Sequence, residues 1–157
     1  MPYLSISAEI LGERVRRISV THESSIILLV VQEDKTELSA KDPKPQIIAG
    51  AVVAFQMNNR SRAWVGLEKR DRMSILVVTM LGTWPIFYII PVTQELSTAV
   101  ARGKYPKHLT DVSKCVVGEK RRLSEGVEKP DFRSEALKHY TLFRQLAISL
   151  WLESVTA

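Results

Sequence analysis

With 157 residues, 45% of them hydrophobic and 25% charged, and only 7 Gly and 7 Pro, the chain has the composition of one globular domain spanning 1–157. Its lone cysteine, Cys115, rules out an internal disulfide framework and a Cys-based zinc site, and the same composition excludes collagen-like, coiled-coil and disordered classes. Lys and Arg exceed Asp and Glu by 22 to 17, a formal charge of +5, which suits a polyanionic partner, nucleic acid first.

Residues 1–11 carry Glu9 and lack both a basic start and a long apolar run, so no secretory signal is read there and an intracellular address, nuclear or cytoplasmic, is expected. Residues 15–21 alternate and are β-branched, 22–25 supply a turn, and 26–31 form a continuous aliphatic run: a β-hairpin whose second strand is buried on both faces. Glu33-Asp34-Lys35 ends that strand in charge. Asp42, Pro43 and Pro45 then mark a helix start, and 46–58 is apolar nearly all round, which predicts a buried helix.

Residues 60–72 read as a basic, partly helical connector carrying Trp64, followed by strands at 74–81 and 86–90. The apolar stretch 75–92 is cut by Gly82-Thr83-Trp84-Pro85 into halves of strand length, so it is two strands and no membrane span. Thr93 is an N-cap for a short helix through Ala101, closed by Gly103. An edge-like strand at 112–117 follows, with Cys115 in the core, and 119–129 is a charged, mobile loop. Phe132, Leu137, Tyr140, Phe143, Leu146, Leu150 and Trp151 recur at helical spacing, which predicts a long amphipathic helix over 131–154 with Asp131 as its N-cap. The fold class is therefore α/β (mixed α+β), a single mixed sheet of about five strands flanked by helices. The hairpin's second strand and 74–81 are parallel, joined across the sheet by the buried helix.

One local pattern carries chemistry. Glu33 and Lys35, two apart on a strand, share a face where aliphatic side chains give way to a cleft rim. A carboxylate there can hold a divalent cation, and an ammonium can orient water or stabilise charge on a phosphate; a strand emerging into solvent with an ion pair is the alternative. Other constellations fail sooner. His22, His108 and His139 lie in a turn, a loop and on a helix surface, without metal-ligand spacing, and no Gly-rich phosphate loop or nucleophile elbow is present. Trp64 beside Arg60, Arg62 and Lys69 is either a base-stacking platform or a pin holding the connector to the core.

In its hairpin ending in Glu33-x-Lys35, followed by a helix crossing to a parallel strand, the chain resembles the PD-(D/E)XK nuclease superfamily. Gln46 stands where the lambda-exonuclease-like branch has a Gln at the start of the next helix. The segments ILLVVQEDK, PKPQIIAGAVVAFQMNN and WPIFYIIPVTQEL are similar to stretches of fungal members, so the resemblance covers most of 25–106. It implies a restriction-endonuclease-like core and metal-dependent phosphodiester hydrolysis. Glu33 and Glu13 would bind Mg²⁺ (or Mn²⁺) with the Asp34 carbonyl, Lys35 would position the attacking water, and Gln46 would hold the site or substrate. Independently of the resemblance, the basic clusters Arg14, Arg16, Arg17 and Arg60, Arg62, with Trp64 beside the second, are the candidate nucleic-acid contacts.

The sequence departs from the family at the first metal-binding acid. Folding the hairpin about Glu23 and Ser24 sets Glu33 opposite Arg14, or opposite Glu13 if the turn has three residues. Glu13, or Glu9, is the substitute, whereas arginines there repel Mg²⁺ and attract phosphate. Pro130-Asp131 lies after Glu33 in the chain and is not that motif. The competing readings are a non-catalytic descendant that binds nucleic acid or a protein partner, and a structural module that forms a homodimer through the aromatic helix, the latter gaining if apolar residues such as Leu142 or Leu152 are exposed as one patch. The short lead before the first strand also fits a fragment or an N-terminally shortened version.

Overall fold

The computed structural model describes residues 4–7, 15–20, 29–34, 44–118 and 126–156, with side chains over 44–118 and 126–153. The elements run β1 (Leu4–Ser7), β2 (Val15–Val20), β3 (Leu29–Asp34), α1 (Lys44–Trp64), β4 (Arg72–Leu81), β5 (Trp84–Thr93), α2 (Gln94–Ala101), β6 (Ser113–Val116) and α3 (Pro130–Thr156). The strands form one mixed sheet in the order β1-β2-β3-β4-β5-β6. All neighbours are antiparallel except β3 and β4, which run parallel from Leu29↔Leu76 to Asp34↔Leu81. Parallel neighbours need a crossover of a dozen or more residues, and α1 supplies it.

The β4–β5 hairpin explains the apolar stretch that resembled a membrane span. Gly82 sits at φ 57, in the left-handed region that the first central residue of a tight two-residue hairpin loop requires, and it turns the chain between Leu81 and Trp84. Among the described residues no helix is long and apolar enough to cross a membrane.

Two cores lie on opposite faces of the sheet, because successive strand residues point to opposite sides. Ile75, Val77, Tyr88, Ile90 and Val92 pack with Ile47, Ala51, Val52 and Phe55 of α1 and Leu96 of α2. Val78 and Phe87 face the other way, against Phe132 and Ala136 of α3, with Trp84 and Val117 completing the cluster. Trp84 and Phe132 meet at a tilt with ring centroids 4.7 Å apart, and Phe87 meets Phe143 at 4.9 Å and Tyr140 in a T-shaped pair at 5.0 Å. Such aromatic pairs add to the area they bury.

Several expectations are corrected. The sheet has six strands among the described residues where five were expected; the additional strand is β1, a four-residue edge too short to show a pattern. The helix expected at 46–58 runs from Lys44 to Trp64 and takes in the first part of the connector. Nor is it buried all round. Its inward face is Ile47, Ala51, Ala54, Phe55, Asn58, Asn59 and Arg62, whereas Val53 and Met57 face outward. Apolar residues outside and polar ones inside erase the amphipathic pattern.

Cys115 is exposed, because β6 pairs only with β5 among the described strands and its residues lie at the sheet's edge. In α3 the inward stripe is Phe132, Ala136 and Phe143, whereas Leu137 is exposed. Pro130 opens that helix, placing Asp131 inside its first turn, where it complements the helix dipole, instead of at the N-cap. The hairpin turn at 22–25 and most of the loop at 119–129 lie outside the described residues.

Candidate functional site

Glu33 and Asp34 are the last two residues of β3, in register with Met80 and Leu81 of β4. They stand at the C-terminal end of a parallel pair, the end at which open α/β sheets place their ligands. The chain then enters α1, and Gln46 lies exposed in its first turn. Lys35, Glu13 and Arg14 lie outside the described residues. The β2–β3 register, Val15↔Gln32, Arg16↔Val31 and Arg17↔Val30, is that of a hairpin folded about Glu23 and Ser24. The described positions of β2 beside β3 are therefore a valine and two arginines, with no carboxylate. Among the described residues no three His, Cys, Asp or Glu side chains gather as a metal site.

The three residues assigned to nucleic acid from the connector have different fates. Arg60 is exposed on α1. Arg62 is 5% exposed, and its Nε donates to the Glu68 carbonyl at 2.8 Å, so it braces the end of α1 and does not reach a ligand on the surface. Trp64 is 87% exposed, which removes the reading in which it pins the connector to the core.

The structure adds a cleft of about 390 Å³ between α1 and α2 that sequence reasoning missed. Phe55, Gln56, Asn59, Arg60 and Ala63 line it from one face of α1. Gln94, Ser97, Thr98, Ala101 and Arg102 line it from one face of α2, at the spacing of three and four that puts side chains in a row. Lys69 closes the set.

The two walls are joined by Gln56, whose Nε2 donates to Ser97 Oγ at 2.9 Å. Asn59 holds the connector at the cleft's end: its Nδ2 donates to the Arg70 carbonyl at 2.9 Å and its Oδ1 accepts from the Arg70 N–H at 2.8 Å. Arg60, Lys69 and Arg102 make no ion pair among the described residues, and no lining residue is acidic. Basic residues at 60 and 69 are visible in the chain as a charge run. Their meeting with Arg102 depends on the packing of two helices and has no local signal.

No family model matches the chain, and no curated protein or solved structure matches it.

Proposed function

We propose that the protein is a PD-(D/E)XK nuclease-like domain acting on nucleic acid, with metal-dependent phosphodiester hydrolysis at the C-terminal end of β3. The observation that carries this reading is the order β2, β3, α1, β4: an antiparallel pair whose second strand ends in Glu33 and Asp34, a helix with Gln46 in its first turn, and a return parallel to β3. In this reading Glu33, the Asp34 carbonyl and Glu13 would be the hard oxygen donors that hold Mg²⁺ or Mn²⁺, and the ion, when bound, would supply charge stabilisation and activation of water. Lys35 would orient the attacking water, Gln46 would hold the site or substrate, and Arg14, Arg16 and Arg17 would neutralise neighbouring phosphates.

A second reading, nucleic-acid binding without hydrolysis, is favoured by one observation. The described register sets Val15, Arg16 and Arg17 opposite Gln32, Val31 and Val30 of β3, so the described part of β2 offers arginines and no acid. One carboxylate holds a divalent ion poorly, whereas arginines retain affinity for phosphate after catalysis is lost.

The test is incubation of labelled DNA and RNA with the protein in Mg²⁺ or Mn²⁺, in parallel with Glu33→Gln and Lys35→Ala, while binding is followed by fluorescence anisotropy. Hydrolysis predicts product with wild type and none with either variant. Intact substrate with salt-dependent binding, weakened in Arg16→Gln and Arg17→Gln, selects the second reading. Neither cleavage nor binding sinks both.

A further inference from the structure

We propose that the cleft between α1 and α2 is a second site, separate from the end of β3, that binds the phosphate group of a small phosphorylated ligand. Three features of the cleft carry this.

The first is uncompensated charge. Arg60, Lys69 and Arg102 line one cleft with no acidic residue beside them in its wall and no ion pair of their own among the described residues. Like charges gathered around one space repel, and the described residues give them no ion-pair partner. Arg102 is partly compensated at the C-cap of α2, where helix carbonyls favour a cation, but Arg60 and Lys69 have no such support. A phosphate monoester carries about −1.5 to −2 charges at neutral pH and presents three acceptor oxygens, which match guanidinium forks and an ammonium better than a single carboxylate does.

The second is prior organisation of the neutral lining. Ser97 is 2% exposed and its hydroxyl accepts from Gln56, while Thr98 Oγ1 donates to the Gln94 carbonyl at 2.7 Å and accepts from Gln94 Nε2 at 3.2 Å. The amides and hydroxyls are held by one another and need not be ordered by the ligand, which lowers the entropic cost of binding.

The third is size and position. A volume of about 390 Å³ lies within the range of roughly 300–1,000 Å³ typical of small organic ligands, and Phe55, Ala63 and Ala101 supply apolar wall for the part that is not phosphate. Arg60 stands fourteen residues beyond Gln46 on α1, about 21 Å along the axis at 1.5 Å per residue. One phosphate cannot touch both places. The cleft therefore does not depend on whether Glu33 binds metal.

The experiment is amide NMR of the ¹⁵N-labelled full chain titrated separately with inorganic phosphate, thymidine 5′-monophosphate and sodium acetate. Saturable shifts at Gln56, Ser97, Thr98 and Arg102 are expected with phosphate or the nucleotide. Tighter binding of the nucleotide assigns a phosphorylated organic ligand, and equal affinities assign free phosphate. Arg60→Gln and Arg102→Gln, both at exposed positions, are each expected to weaken binding about tenfold, the loss of one charge-assisted contact. Glu33→Gln is expected to leave these shifts unchanged, so failure of the nuclease reading and failure of this one give different results. Absence of saturable shifts at millimolar phosphate and nucleotide overturns the proposal, as does equal affinity for acetate or unchanged affinity in the two arginine variants.

Discussion

Arg62 stands in the middle of a basic stretch and is nonetheless turned inward. A buried guanidinium is tolerated only when its donors are satisfied, and the Glu68 carbonyl takes the Nε proton. Nothing in the sequence separates it from Arg60, two residues earlier, because one residue's rotation around the helix decides which of them meets solvent. Trp64 and Cys115 fail the usual rule in the other direction, both exposed where a core position was the simpler expectation. At this scale His108 gains a role that sequence did not suggest: its Nδ1 lies 2.7 Å from Glu95 Oε2, while the Lys107 N–H donates to Glu95 Oε1 at 2.8 Å. That bond holds His108 above its ordinary value of 6.5 and Glu95 below 4.5, each chiefly through the hydrogen bond to the other.

The raised His108 contributes stability that is complete below 6.5 and lost as pH rises through its folded value; the lowered Glu95 contributes stability that is complete above 4.5 and lost as pH falls through its folded value. The pair thus acts fully between those limits and ties the 103–112 segment to α2. Both groups are solvent-exposed, so the effect on global stability is small and screened by salt. The expected result of an NMR pH titration is a His108 midpoint above 6.5 that returns to about 6.5 in Glu95→Gln. An unchanged midpoint in that variant contradicts the pairing.

At the scale of elements, helix ends were more legible than helix faces. Thr93 caps α2 as expected, its Oγ1 accepting from the Leu96 N–H at 3.1 Å, and Gly103 at φ 62 closes it. The Gly103 N–H donates to the Val100 carbonyl and the Lys104 N–H to the Ala99 carbonyl, which satisfies carbonyls the helix leaves open. Gly66 does the same for α1, with Leu67 N–H on the Arg62 carbonyl at 2.9 Å. That cap explains why α1 overruns the length read from its apolar run: the stop signal is Gly66, eight residues beyond Asn58, and 59–64 has adequate helix propensity to reach it.

Asn59 then fixes the capped end of α1 to the entry of β4. Asn59→Ala removes both bonds to Arg70 and leaves a main-chain N–H and carbonyl without those partners, at a cost of about 2–3 kcal/mol. Urea unfolding checks it, with a lower midpoint at unchanged m expected. A loss under about 0.5 kcal/mol would show the clamp to be incidental.

For the whole molecule, the sequence made the β3–α1–β4 crossover and the β4–β5 hairpin readable, since long aliphatic runs and Gly82 punctuate them. The division of labour between the two sheet faces was less visible. Leu142 and Leu152 of α3, 63% and 49% exposed, lie off the stripe of Phe132, Ala136 and Phe143 that meets the sheet, whereas Leu137, which belongs to the apolar period, is 59% exposed. The cleft was not readable at all, because its charges come from α1, the connector and α2, and only the tertiary packing of two helices brings them together.

In the function proposed above, Glu33, at the end of β3, is a metal-binding carboxylate. Its most direct test is Mg²⁺ titration of the ¹⁵N-labelled protein alongside Glu33→Gln. Saturable shifts at residues 33–35 and around Glu13 that vanish in the variant are expected, with Mn²⁺ broadening the same resonances. Resonances that do not move at millimolar Mg²⁺, or that move identically in Glu33→Gln, would contradict it.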